Sequence, residues 1–116
     1  MIGILIMASV LGATPKPTDK QIAPLLKAIR KVETGGQPNS GRDAVGDKGK
    51  SIGPYQIQYK YWKDSRVPGN WTQCRDPKYA ERVMIGYWQR HCPKALKAGD
   101  AETLSRTHNG GPHGAK

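Results

Sequence analysis

A mostly helical α+β domain with one small β-hairpin is what the sequence predicts, and three observations carry that expectation. Apolar residues recur at helical spacing in two long stretches, 22–32 and 79–91. Between them, residues 37–50 are dense in Gly, Asn, Ser, Asp and Pro, which is the composition of turns. Residues 51–57 then alternate loosely through Ile52, Tyr55 and Ile57, a short strand or a passage from strand to helix.

Taken in order, residues 1–13 (M-I-G-I-L-I-M-A-S-V-L-G-A) are almost unbroken apolar sequence. The run is too short for a membrane span of about 20 residues. It reads as the apolar core of a secretory signal, with Gly12 and Ala13 offering the cleavage point and T-P-K-P following as a linker. The functional domain is then 18–116. Its first helix has Thr18 and Gln21 as a capping box, and Ile22, Leu25, Leu26, Ile29 and Val32 as its apolar face. Pro24 fits best near the start, so the helix is expected to begin close to Ala23. Gly35 and Gly36 end it.

The hairpin turn is expected at Asp47-Lys48-Gly49, and V-P-G-N-W (67–71) is a further loop. Asp76-Pro77 is a strong helix start, a capping side chain followed by proline in the first helical position. Tyr79, Ala80, Val83, Met84, Tyr87 and Trp88 repeat at helical spacing as far as His91 and Cys92, where Pro93 stops the run. Asp100 caps a last helix reaching about Thr107.

With 116 residues the chain is one domain with a small core, since apolar residues make up 36%, Phe is absent and mean hydropathy is −0.69. Nineteen basic against nine acidic residues give +10 and a pI near 9.9. Such an excess attracts polyanions, whether nucleic acid, anionic lipid or bacterial wall polymers, and does not choose among them. No RNA-binding aromatic motif, zinc-finger spacing or compact Lys/Arg block is present, so nucleic acid is not the expected partner, and stable membrane insertion is not expected either. In an oxidising compartment Cys74 and Cys92 would form one bridge worth about 3 kcal/mol. His91 beside Cys92 does not complete a zinc set, and no metal or cofactor is expected.

The carboxylates carry the chemistry. Glu33 stands in the last turn of the first helix beside apolar Val32, where burial and the negative end of the helix both favour its protonated form. Asp43 and Asp47 follow in a wetter loop. One protonated and one ionised carboxyl is what hydrolysis of a glycosidic bond requires. From the residues alone Asp47 and Asp43 are not separable as the second group, and an Asp near a Gly in a hairpin is ordinarily a turn former.

Three segments, V-E-T-G-G, then D-K-G-K-S-I-G-P-Y-Q-I with Y-K-Y-W close behind, and H-N-G-G-P-H-G, resemble the invertebrate-type lysozymes, the destabilase group, in order and separation over 22–116. The resemblance implies an α+β lysozyme-like fold, mostly helical, with a small hairpin flanking the cleft. It also implies hydrolysis of the β-1,4 link between N-acetylmuramic acid and N-acetylglucosamine in peptidoglycan, by a secreted, bacteriolytic, monomeric protein. Glu33 matches the family's general acid, and Asp47 best matches its second carboxylate. Members usually carry many more cysteines, and here most of those positions hold other residues. Some members also cleave isopeptide bonds with a Ser and a Lys or His. Ser51 and His108 match that serine region and histidine, whereas Gln58 stands where a Lys commonly follows Q-I.

Sugar rings stack apolar C–H faces on aromatics and need paired donors for their hydroxyls. Tyr55, Tyr59, Tyr61, Trp62 and Trp71 are candidates for the faces, and Gln56, His108 and Asn109 for the polar contacts. Tyr55, Gln56, Trp62, His108 and Asn109 form the expected substrate set, led by Tyr55 and His108. A non-hydrolytic cationic wall-binding protein on the same scaffold is the alternative, distinguished by whether Glu33 is needed.

Overall fold

Helix α1 (Asp19–Thr34) opens the part of the chain that the computed structural model describes, residues 19–114. The expected signal segment, 1–13, and Thr18 of the expected capping box lie outside the described residues. Helix α1 starts before the expected Ala23 and holds Pro24 in its second turn. Ile22, Leu26 and Ile29 are buried as the spacing requires, but Val32 is 84% exposed. The apolar stripe therefore ends at Ile29, and in the last turn it is Thr34 rather than Val32 that is buried.

Strands β1 (Val45–Gly46), β2 (Ser51–Ile52) and β3 (Ile57–Gln58) form a three-stranded antiparallel sheet in that order. Val45 pairs with Ile52, and Ser51 with Gln58. The β1–β2 turn falls on Asp47–Gly49. The stretch 51–57 is two strands rather than one, folded back by the turn at Gly53-Pro54-Tyr55-Gln56. Gly53 has φ +79°, and a Cβ there would collide with the Cys74 carbonyl, so only glycine closes this turn against the next segment.

Strand β3 runs directly into α2 (Tyr59–Ser65), an element the periodicity does not reveal: it is two turns long, and its N-terminal Gln58 supplies no side-chain cap. A 3-10 segment (Trp71–Arg75) follows the expected loop, closed by reciprocal bonds between Asn70 and Gln73. Helix α3 (Pro77–His91) has the predicted bounds, with Asp76 accepting from the Tyr79 N–H. Pro93, read as a stop, is also the first residue of α4 (Pro93–Ala98), which is the other habitual place for proline in helices. Helix α5 (Ala101–Gly110), capped by Asp100, runs three residues further than expected and so takes in His108 and Asn109.

Helix α3 is the axis of the core. Helices α2, α4, α5 and the 71–75 segment all pack on it, and α1 closes the side against α5. Ala80, Val83, Met84 and Trp88 on α3 are sealed from solvent, and the Trp88 indole donates to the Leu104 carbonyl at 3.0 Å. Such a core is built without Phe, as the composition demands.

The expected Cys74–Cys92 bridge is not formed, and both thiols are free. Helix α3 stands between them. Its 15 residues rise about 22 Å, whereas a disulfide needs Cα atoms within roughly 7 Å. Cys74, fully buried before the first turn, has its thiol pKa pushed up to about 12 by desolvation. Buried side chains do the holding instead.

Candidate active site

The end of α1 and the sheet meet at one hydrogen bond. Thr34, the last residue of α1, donates its hydroxyl to the Pro54 carbonyl at 2.8 Å, a buried contact that fixes the helix end to the β2–β3 turn. Glu33, one residue earlier, is thereby held facing the sheet. Asp47 sits in the turn opposite with φ +50°, a left-handed conformation that Asp tolerates better than most side chains. From there its carboxylate folds back on the hairpin. Its Oδ2 accepts from Ser51 Oγ at 2.7 Å and from Gln58 Nε2 at 3.3 Å.

Glu33 and Asp47 line a single cleft of about 530 Å³ between α1, the sheet, α2 and α5. Their surroundings separate them. Desolvation, reinforced by the negative charge of Asp47, raises the Glu33 carboxyl above its ordinary range. Hydrogen bonds from Ser51 and then Gln58 hold the Asp47 carboxyl below its ordinary range. Near neutral pH one group is biased toward carrying a proton and the other toward charge, which is the division that acid-assisted cleavage of an acetal needs.

Asp43 is not part of this pair. Its side chain is exposed, accepts from Asn39 Nδ2 at 2.8 Å, and does not line the cleft.

Of the expected substrate set, Gln56, His108 and Asn109 line the cleft. Gln56 is braced by its Nε2 donating to the Gly53 carbonyl at 2.9 Å. His108 forms part of the floor at 8% exposure, and burial pushes its pKa down to about 4, so the ring is neutral. Its Nδ1 lies 2.9 Å from the Tyr61 hydroxyl. Tyr61 is stacked on Tyr87 with centroids 3.7 Å apart and planes 10° from parallel.

Two expectations are corrected. Tyr55 is 1% exposed, and its hydroxyl donates to Glu81 on α3 at 2.7 Å, away from the cleft. The β2–β3 turn directs Gln56 to one side and Tyr55 to the other, against α1 and α3. Trp62 is turned into the α2–α3 packing, where its indole donates to the Tyr79 hydroxyl at 2.9 Å. Neither side chain lines the cleft. Trp71 likewise donates inward, to the Ile57 carbonyl at 2.9 Å.

In their place the cleft wall is built by Tyr61, Tyr87, Lys60 and Asp64. Lys60 and Asp64 are four apart, hence on one face of α2, a signal visible only once α2 is known to be helical. Tyr87 was legible as an apolar helix position but not as a wall.

The serine and histidine of an isopeptidase reading are otherwise engaged. The Ser51 hydroxyl gives its proton to Asp47, and His108 Nδ1 faces Tyr61. Among the described residues there is no cluster of three or more His, Cys, Asp or Glu fit to hold a metal.

No protein-family model matches the chain. It is similar to invertebrate-type lysozyme 6 of Caenorhabditis elegans, with 33% identity over 103 residues, 78% of this chain and 73% of that protein. It is 32% identical over 93 residues to a lysozyme of Meretrix lusoria, covering 78% of this chain and 75% of the relative. The crystal structure of Tapes japonica lysozyme superposes with a TM-score of 0.64 at 30% identity, over 78% of this chain and 75% of that one.

Proposed function

The chain belongs to the invertebrate-type lysozymes, and from that membership we propose that it hydrolyses the β-1,4 bond between N-acetylmuramic acid and N-acetylglucosamine with Glu33 as general acid and Asp47 as second carboxylate. The observation that carries the assignment of roles is the opposite bias of these two groups across one cleft.

Glu33 protonates the departing glycosidic oxygen. Asp47, kept ionised by Ser51 and Gln58, stabilises or attacks the oxocarbenium-like carbon. Water then replaces the leaving sugar as Glu33, now charged, takes its proton. Gln56 and Asn109 offer hydrogen bonds to sugar hydroxyl and acetamido groups, while His108 and the stacked Tyr61–Tyr87 pair line the same cleft. The protein acts outside the cell as a monomer, residues 1–13 being its export signal and 18–116 its catalytic domain, and its positive charge concentrates it on anionic walls. Bacteriolysis is the outcome.

The assay is clearance of purified peptidoglycan. Glu33→Gln and Asp47→Asn should each lower the rate by roughly 100-fold or more, the usual contribution of positioned acid–base groups. Asp43→Asn should leave it within about twofold, since that carboxylate is exposed and does not line the cleft. Undiminished wall hydrolysis by Glu33→Gln would remove the muramidase mechanism. Killing without any hydrolysis would instead favour the cationic wall-binding alternative.

A further inference from the structure

The cleft has the opposite electrostatic character from the molecule that carries it. The chain bears +10, yet three carboxylates, Glu33, Asp47 and Asp64, line the cleft, and Lys60 is the only Lys or Arg among the lining residues. His108 beside it is neutral, its pKa depressed to about 4. Among the described residues Lys60 takes part in no ion pair: Arg42 pairs with Asp76, Lys78 with Glu81 and Arg106 with Glu102, while the carboxylate of Asp64 lies 3.8 Å from His91, whose pKa burial lowers. Asp64 is one turn along the same helical face, in the less favourable order for pairing with a preceding lysine. An ammonium is thus left free on the wall of a site otherwise populated by acids.

A neutral chain of N-acetylglucosamine offers that cation hydrogen-bond acceptors but no charge to pair with. The muramic acid of a bacterial wall supplies one, because its lactyl ether ends in a carboxyl group, either free or extended by a peptide that carries carboxylates of its own. We propose that Lys60 is a specificity-determining residue that pairs with a carboxylate hanging from the muramic acid side of the substrate, so that the site favours wall glycan over neutral chitin-like chains. This rests on the muramidase reading above and adds the part of the substrate that is read. Besides giving attraction, Lys60 offsets the repulsion between an anionic substrate and the carboxylates of the cleft.

The test compares Lys60→Gln, Lys60→Arg and, as a control for net charge, Lys97→Gln, an exposed position on α4 outside the cleft. Two quantities are read at fixed ionic strength: kcat/KM on peptidoglycan, and the Ki of the neutral N-acetylglucosamine trimer as a competitive inhibitor of that reaction. Lys60→Gln should lower kcat/KM about tenfold, the size of one charge-assisted hydrogen bond, and leave the Ki within about twofold. Lys60→Arg should restore most of the loss, and Lys97→Gln should show neither effect.

Repeating the assay on glycan stripped of its peptides identifies the carboxylate. A loss confined to intact peptidoglycan assigns the stem peptide, and a loss on both substrates assigns the lactyl group or its vicinity. Equal weakening of wall hydrolysis and trimer binding, or no change in either, would overturn the proposal. The muramidase reading stands or falls separately, on the wild-type activity and its loss in Glu33→Gln.

Discussion

Ser51 donates its hydroxyl to Asp47 Oδ2 at 2.7 Å, across the turn that joins the first two strands. That bond is the largest influence holding the Asp47 carboxyl below its ordinary range, ahead of Gln58. If the reaction needs Asp47 ionised, activity fails as pH falls through its pKa, and loss of the bond brings that failure to higher pH. Ser51→Ala should therefore shift the acidic limb of the kcat/KM profile upward while leaving the alkaline limb in place. A profile that merely drops, with unmoved limbs, would mean that Ser51 serves packing only.

Glu33 is perturbed in the opposite sense, by burial first and by Asp47 second. The folded chain holds this proton more tightly than the unfolded chain, so the group adds stability below the ordinary carboxylate range and loses it as pH rises through the raised pKa. Glu33→Gln removes that cost. Its Tm should exceed the parent's at pH 7, with the gain vanishing near pH 3. Asp47→Asn should in turn lower the Glu33 pKa, which carboxyl NMR titration would read directly.

His108 ties stability to acid. Its pKa falls from the ordinary 6.5 to about 4, chiefly through burial. The unfolded chain binds this proton first, so His108 withdraws stability as pH falls from about 6.5 to about 4, on the order of 3 kcal/mol in all. His108→Gln should be less stable at pH 7 but flatter across that interval. Thermal unfolding followed from pH 7 to pH 4 makes the comparison.

Tyr55 and the cleft should be separable by kinetics. Tyr55→Phe removes the 2.7 Å bond to Glu81 and should cost about 1–2 kcal/mol of stability, with KM on peptidoglycan unchanged. A raised KM at unchanged stability would return Tyr55 to the substrate set.

Both cysteines should titrate as thiols. Unfolded protein should release two equivalents to a thiol reagent without prior reduction, whereas native protein should react first at partly exposed Cys92, because Cys74 is sealed and its thiol pKa lies at about 12. A reductant should leave the Tm where it was.

What the amino-acid order determined by itself is whatever depends on neighbours a few residues away. Asp76-Pro77 and Asp100 set helix starts because a cap is satisfied within one turn. The Asp47–Gly49 turn followed from residues that tolerate left-handed backbone. Helix α2 escaped notice because seven residues, three of them aromatic, carry too little periodic or capping signal. The bridge from Cys74 to Cys92 conflicts with the straight helix predicted between them, whose 15 residues hold its two ends far apart.

Tertiary packing decided the rest, because a side chain's direction depends on what lies across from it. Tyr55 and Gln56 are adjacent in sequence and end on opposite sides of the turn, one under α3 and one in the cleft. Val32 fits the apolar stripe of α1, yet the packing leaves it exposed. Asp43 and Asp47 are equivalent as residues, and only the fold brings Ser51 and Gln58 to one of them and leaves the other to solvent. A local pattern can say that an acid stands at a helix end; its proton affinity is set by groups distant in sequence that fold against it, through desolvation and charge.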